Sequence, residues 1–509
     1  MNQTSNNIRI AKNTFFLYIR MLFTLAIGLF TSRVILNTLG VEDFGIYNVV
    51  GGIVAMFGFI NSAMATSTSR HLTFELGANN EHQLIKVFNL SIYIHGIISL
   101  IVIILGETIG LYFLYTQMQI PVERMTAALW VYQLSIASSV ITIMSVPYNA
   151  LIIAHEKMTA FAYITILDIS LKLLIVYMIL IFPWDKLIIY AILLLIAQII
   201  NQSIYMIYCK SKFKETKLLW LWDKSLFKEM SSFAGWNLVG NIAVLAYTEG
   251  LNILLNVFFG PATNAARGIA VQVQNVIGRF TSNFQTALNP QITKTYASHD
   301  LEYMHKLIFA SSKYSFFLLL TLSTPLIVET SKILTLWLKL VPDNTVVFLR
   351  IIIATSLIDT LANPLIIAAQ ATGHIRVYQQ VVGGLLILIL PISYVVLKLG
   401  FPSYSVFLVH LGICIIAQIA RLIMIKPLIH LSVKKYFHSV ITKTLRVTFA
   451  SVLLSFIIYK LIPQSQWSFI VTISCIIPTT ILLVYIGGLD KNEKLFINNK
   501  ILTILHRKQ

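Results

Sequence analysis

Apolar stretches recur about every 30 residues along this chain, each long enough to cross a hydrocarbon core about 30 Å thick. They predict helical spans near 14–38, 44–66, 86–115, 125–152, 159–181, 187–208, 233–258, 266–290, 307–328, 345–370, 377–397, 402–425, 442–460 and 466–488. The expected fold class is therefore an all-α polytopic membrane protein with about 14 transmembrane helices. One span breaks the apolar pattern. From Gly268, polar residues step through Gln272, Asn275, Arg279, Ser282, Thr286, Asn289 and Thr293, with Asn283 beside them. The steps alternate between three and four residues, which is one helical face. Charge and unpaired amides are costly against lipid, so this face must line a wet cavity or a buried interior.

Composition agrees with the pattern. The 509 residues are 57% hydrophobic and 11% charged, where soluble domains carry about 25% charged residues. The polar start MNQTSNNIRIAK leads into a first span that reads as retained, because no small-residue cleavage site follows a short apolar core. Cys209, Cys414 and Cys475 are scattered and give no disulfide framework or metal spacing, and nothing calls for a cofactor. The net charge of +18 reports topology before it reports a partner, and no nucleic acid is implied. Both tails and the loops near 67–86, 153–158, 209–232, 291–306, 371–376 and 426–443 hold about 23 Lys and Arg, against about six in the opposite loops. Both termini are thus expected on the cytoplasmic side.

The richest basic loop, 209–232, separates two halves that look like repeats. Its Leu219-Trp220-Leu221-Trp222 centre suggests a helix lying on the inner leaflet, with a plain linker as the alternative. Gly40 and Gly260 each follow a first span, about 220 residues apart, and Lys86 and Lys306 keep that spacing. PYNALIIAHEKM from Pro147 resembles PLIIAAQATGHI from Pro364. The expected organisation is a six-helix lobe over 1–208, the linker 209–232, a second six-helix lobe over 233–425, and two extra helices with a tail over 426–509. Repeats with an even number of spans are parallel, related by an axis along the membrane normal.

Ionisable groups within spans are functional candidates, although long side chains near helix ends can snorkel. Arg279 lies about 18 Å along its helix from Arg267, which places it near mid-membrane and Arg267 at the outer mouth. Arg20 sits about 9 Å inside the first span, continued by Thr24, Gly28 and Thr31. Arg33, Arg350, Arg421 and Arg446 read as anchors near span ends, and Lys313 is undecided. Asp168 and Lys172, four residues apart, can pair along one helix. Glu249 and Asp359 stand among Asn and Thr residues, where a lone carboxylate could bind a proton or sodium and couple transport, or simply neutralise an arginine. The cavity candidates lean basic. Anionic cargo follows, since arginine grips phosphate oxygens and stays charged when partly buried. The amides and hydroxyls of the stripe suit sugar.

Ser32 to Val50, SRVILNTLGVEDFGIYNVV, resembles the start of the polysaccharide flippases, the Wzx-type transporters of bacterial surface sugars. The matching positions are Arg33, Leu39, Gly40, Glu42, Asp43, Phe44, Gly45 and Tyr47. Phe258 to Gln274 is similar to the corresponding segment of the second half. The resemblance implies two six-helix lobes in a V around a central cavity, in the superfamily of multidrug, oligosaccharidyl-lipid and polysaccharide exporters. It implies a cargo of oligosaccharide on a polyprenyl pyrophosphate, moved across the bacterial cytoplasmic (inner) membrane by ion-coupled alternating access. Membrane lipids, a polysaccharide polymerase and a chain-length regulator are the further partners it suggests. Family members use cavity arginines and lysines on the first, second, seventh and eighth spans; Arg20, Arg267 and Arg279 match. The second span has no basic residue, and Phe59 stands at the repeat position of Arg279. Substrate binding is thus expected at Arg20, Arg267, Gln272, Asn275, Arg279 and Asn283, and ion coupling at Glu249 or Asp359. The alternative is an exporter of drugs or other small molecules on the same fold. Neither a nucleophile–base pair nor a phosphate-cradling glycine loop is present, and the outer loops are short, so an enzyme is not expected.

Overall fold

A computed structural model describes residues 3–498 apart from 57, 117, 119, 183, 339, 464–466, 492, 496 and 497. The side chains of Arg33 and Phe59 also lie outside the described residues. Every regular element among the described residues is helical, and the chain divides into two units. Unit 1 comprises 1–241 and 293–299; unit 2 comprises 242–292 and 300–509. In chain order, α1 is Gln3–Met56, α2 Gly58–Gly77, α3 Glu81–Leu105, α4 Leu111–Thr116, α5 Met125–Ala154, α6 Met158–Ile181 and α7 Lys186–Lys212. Next come α8 Lys224–Phe259, α9 Pro261–Ala297, α10 Leu301–Val328, α11 Thr330–Leu338 and α12 Thr345–Thr372. The chain closes with α13 Arg376–Ile387, α14 Ile389–Lys398, α15 Ser405–Ile429, α16 Val433–Tyr436, α17 Thr442–Leu461 and α18 Ser468–Leu483.

Among the described residues, twelve helical segments are long and apolar enough to cross a membrane. The remaining two expected spans, 44–66 and 266–290, fall on α1–α2 and on α9. Their described residues are helical; the first contains residue 57, outside the described residues, and the second stands outside that apolar set. The eighth is too polar by composition, because it carries the stripe. Residues 44–66 carry no basic side chain, but α2 runs on to Gly77 and so brings Arg70 onto the same helix.

The backbone repeats its turning devices at a nearly constant spacing, with Gly40 and Gly260, and Asn79 and His299, the same distance apart and Glu156 and Gly373 three residues closer. Gly40 and Gly260 both adopt φ of +79°, where only glycine is unstrained, and each marks the break between two long helical runs. Asn79 and His299 both take positive φ. Asn80 and Asp300 then cap α3 and α10 by accepting from the Gln83 and Tyr303 amides. Glu156 and Gly373, at the ends of α5 and α12, are likewise both left-handed.

Ion pairs fix the loops of unit 1. Arg124 binds Asp43 and Asp185 together, with its Nε donating to Asp43 Oδ1 at 2.8 Å. Asp43 is the acidic residue of the Gly40 turn, so its role here is structural. Partial burial opposes ionisation of Asp185, but hydrogen bonds from Arg124 and the Ile188 amide outweigh it and hold this carboxyl below its usual range. At the opposite end of the helices, the Glu156 carboxylate is fully buried between Arg9 at 2.9 Å and Lys294 at 2.7 Å.

The segment 217–223 carries no regular structure, in keeping with the linker alternative and not with a surface helix. It is held against α3, where the buried Asn89 clamps its backbone: Nδ2 donates to Lys217 O at 3.0 Å, and Oδ1 accepts from the Leu219 amide at 2.8 Å. Tyr93 adds a bond to Leu219 O. A backbone already bonded to α3 cannot also close helical turns. In unit 2, buried Lys313 on α10 pairs with Glu493 at 2.7 Å and Asp490 at 3.2 Å, which ties the end of the chain to that helix.

Candidate functional site

The polar face of α9 opens onto a cavity of about 450 Å³ inside unit 2, completed by α12. Asn275, Arg279 and Asp359 line it, together with Gln274, Ser282, Gln285, Ser356 and Thr360. Most of its amides are held by neighbours. Gln274 Nε2 donates to Ser356 Oγ at 2.8 Å, Gln285 Nε2 to Thr360 O at 3.0 Å, and Asn363 Nδ2 to Gln285 Oε1 at 2.7 Å. This net sets the orientation of α9 against α12 within the unit. Arg279 is exposed to the cavity, and its guanidinium has no ion pair among the described residues. A fork of donors in a cavity walled by amides, hydroxyls and a single carboxylate, Asp359, can receive phosphate or carboxylate oxygens.

Asp359 is exposed to this cavity. Behind it lie the Cys414 thiol and the positive field of Arg421. Arg421 was expected as an anchor at a span end. Instead it is 5% exposed, donating from Nε to Tyr378 Oη at 3.2 Å. Its position near the end of its span concealed the fact that α13 packs over it.

The other expected residues separate into distinct places. Arg267 donates to Thr248 O on α8 at 2.7 Å and lies within electrostatic reach of Glu249, and neither lines the Arg279 cavity. Gln272 is exposed and outside the lining, and Asn283 is buried, donating to Arg279 O at 2.8 Å. The wet face is thus rotated by about one residue from the stripe read in the sequence, toward Gln274, Gly278 and Gln285. Those residues repeat at helical spacing too, a second stripe beside the first. Arg20 lines a separate cavity of about 250 Å³ within unit 1, with its guanidinium 4.8 Å from the Phe161 ring centroid. Asp168 lines the same cavity and pairs with Lys172 at 2.8 Å. Among the described residues, no three of His, Cys, Asp and Glu come together as a metal-binding group.

Twelve apolar helical segments of spanning length among the described residues define a multi-pass membrane protein with internal polar cavities. Residues 10–296 match the family described as polysaccharide biosynthesis protein, and the chain belongs to that family. No curated protein matches it. Among solved structures it is similar to a MATE transporter in the bent conformation, at a TM-score of 0.71 and 12% identity over 83% of this chain and 96% of that one. It is also similar to an outward-facing multidrug resistance MATE family transporter of the MOP superfamily, at 0.68 and 12% over 83% and 96%. A third is a MOP superfamily transporter from Pyrococcus furiosus with a binding pocket of reverse polarity, at 0.65 and 13% over 82% and 96%. At these identities the likeness establishes the fold.

Proposed function

We propose that this protein is a flippase that moves polyprenyl-pyrophosphate-linked oligosaccharide repeat units across the bacterial cytoplasmic membrane for O-antigen, capsule or exopolysaccharide assembly. Both termini lie in the cytoplasm. Arg279 binds the pyrophosphate or an acidic sugar, Asn275 and its neighbours contact hydroxyls, and the polyprenyl tail stays in lipid. Arg20 and Arg267 serve other stations on the path. Asp359 couples transport to protons or sodium, and is favoured over Glu249 because it shares the Arg279 cavity. The observation that carries the reading is that cavity: an arginine with no ion pair among the described residues, walled by amides and hydroxyls, in a chain of the polysaccharide biosynthesis protein family. Isolated charges in a bilayer centre cost several kcal/mol or more, and a wet basic cavity removes most of that cost.

The second reading is an exporter of drugs or other small molecules. It has in its favour the fold shared with a multidrug resistance MATE transporter. A cavity for cationic drugs should lean acidic, and an exposed Arg279 weighs against it. Lipid-linked oligosaccharide measured by mass spectrometry before and after depletion separates the two. The flippase reading expects a complete repeat unit to accumulate on its carrier while surface polymer is lost. An unchanged lipid pool with intact polymer would leave the exporter.

A further inference from the structure

We propose that unit 1 carries a site for one anionic phospholipid of the surrounding bilayer. Its headgroup is held by lysines of the segment 210–228, and one of its hydrocarbon chains lies in an apolar groove between α2, α3 and α8. The site does not depend on the flippase reading.

The groove has a volume of about 220 Å³, and its walls include Met64 of α2, Ile94 and Ile97 of α3, and Phe227, Ala234 and Leu238 of α8. Ile97 is 43% exposed, so the groove is open on one side. Phe227 and Leu238 are eleven residues apart, a length of about 16 Å along α8. Both α3 and α8 belong to segments of spanning length. Ser231 brings the one hydroxyl among the lining residues, and no charge or amide joins it. Such a wall suits hydrocarbon.

One end of the groove is charged. On α8, Lys224, Phe227, Lys228, Ser231, Ala234 and Leu238 keep the spacing of one helical face, with the two lysines at its head. The segment 217–223 lies at that end: the Trp222 ring is 5.1 Å from Phe227, and the Trp220 ring is 5.4 Å from Tyr93. Tyr93 is about 10 Å beyond Lys86 on α3, and no Asp, Glu, Lys or Arg follows Lys86 until Glu107. The segment therefore sits where headgroups give way to hydrocarbon, the level that tryptophan favours, and Trp220 is 90% exposed there. Irregular backbone next to lipid needs partners for its peptide groups. Asn89 and Tyr93 supply them at Lys217 and Leu219.

The charges at this end are unbalanced. Lys210, Lys212, Lys214, Lys217, Lys224 and Lys228 are all exposed, against three acidic residues between them and Met230. Each acid is engaged: Glu215 with His155, Asp223 with Lys86 at 3.9 Å, and Glu229 with His71 at 3.3 Å. A soluble anion would use the lysines and leave the groove bare. A neutral lipid would use the groove and leave the lysines. An anionic head on a hydrocarbon chain uses both, and anionic phospholipid is drawn to clustered lysines at a membrane surface.

The test uses the full chain, delipidated in detergent and titrated with phosphatidylglycerol or phosphatidylcholine, with bound lipid counted by native mass spectrometry. The tightest-bound phosphatidylglycerol should exceed phosphatidylcholine in affinity at least tenfold. Lys224→Gln combined with Lys228→Gln, both at exposed positions, should weaken phosphatidylglycerol about 25-fold, about fivefold for each charge, and leave phosphatidylcholine unchanged. Gly235→Leu fills the groove, where an added Cβ meets nothing within 4 Å. It should weaken phosphatidylglycerol at least tenfold while the lipid-free protein melts as wild type does. Equal affinity for the two lipids overturns the site, and so does wild-type phosphatidylglycerol binding by either variant. Polyprenyl phosphate forms the last arm. If it binds more tightly than phosphatidylglycerol and displaces it, the occupant is an isoprenoid lipid and the phospholipid assignment falls.

Discussion

In the unit 2 cavity the amides are spent on one another, Gln274 on Ser356 and Gln285 on Asn363 and Thr360, while the guanidinium of Arg279 faces the open space. In the unit 1 cavity the guanidinium of Arg20 lies over the Phe161 ring, and the carboxylate there, Asp168, is paired with Lys172. Two halves that repeat the same turns hold their cavity charges differently: in unit 2 the arginine faces open space, and in unit 1 the arginine is stacked on a ring and the carboxylate is paired. A second contrast sits at the ends of α5 and α12. Unit 2 places glycine at its left-handed position, whereas unit 1 places Glu156 there and uses its side chain. A left-handed non-glycine costs about 1–2 kcal/mol. The carboxylate buried against Arg9 and Lys294 is what offsets it.

Copying unit 2 into unit 1 at that position is the strongest way to break the comparison. Glu156→Gly relieves the backbone but leaves two cations without their anion. Losing one member of a buried ion pair costs about 3–5 kcal/mol, so a net loss of about 1–4 kcal/mol is expected after the strain is relieved. A melting temperature equal to wild type would show that the pairing adds nothing. Next comes the donor fork. Arg279→Gln should lower flipping by about 10–100-fold, the range of a charged hydrogen bond, and Arg279→Lys by less, since charge remains but the planar fork does not. Full transport by the Gln variant in a vesicle assay would end the anion role. The carboxylates of the two cavities should then diverge. Asp359→Asn should abolish the response of transport to an imposed proton or sodium gradient. Asp168→Asn, whose partner is Lys172, should keep that response. Equal behaviour of the two variants would dissolve the contrast between the units.

The smallest expected effect is acid sensitivity at the Gly40 turn. The Asp185 carboxyl is held below its usual range when folded. Its stabilisation is therefore complete above the unfolded value of about 3.9, and is lost as pH falls through the lower folded value. The stability of wild type over Asp185→Asn should be about 1 kcal/mol at neutral pH and shrink in acid. A difference that does not change between pH 6 and pH 3 would contradict the pairing.

The spans were legible because apolar length is a local property, and so were Gly40 and Gly260, because few residues other than glycine turn there. Arg279 could be placed by counting along its helix. Asp359 could be picked out, but its sharing of a cavity with Arg279 depends on how α9 meets α12, which spacing along either helix does not encode. Arg421 was misread for the same reason: distance from a span end says nothing about the helix lying over it. Glu156 was not singled out at all. It sits in a turn, and its value comes from Arg9 and Lys294, both far away in the chain. The irregular run at 217–223 was hidden behind a favourable Leu-Trp pattern, since its conformation is dictated by Asn89 on another helix.

That clamp also decouples course from composition. Asn89 holds Lys217 and Leu219 by their peptide groups and not by their side chains, and Tyr93 likewise bonds the Leu219 carbonyl. A segment gripped in this way keeps its place on α3 whatever side chains it carries, so exchanging Leu219 or Lys217 should leave its course intact, whereas replacing Asn89 should release it.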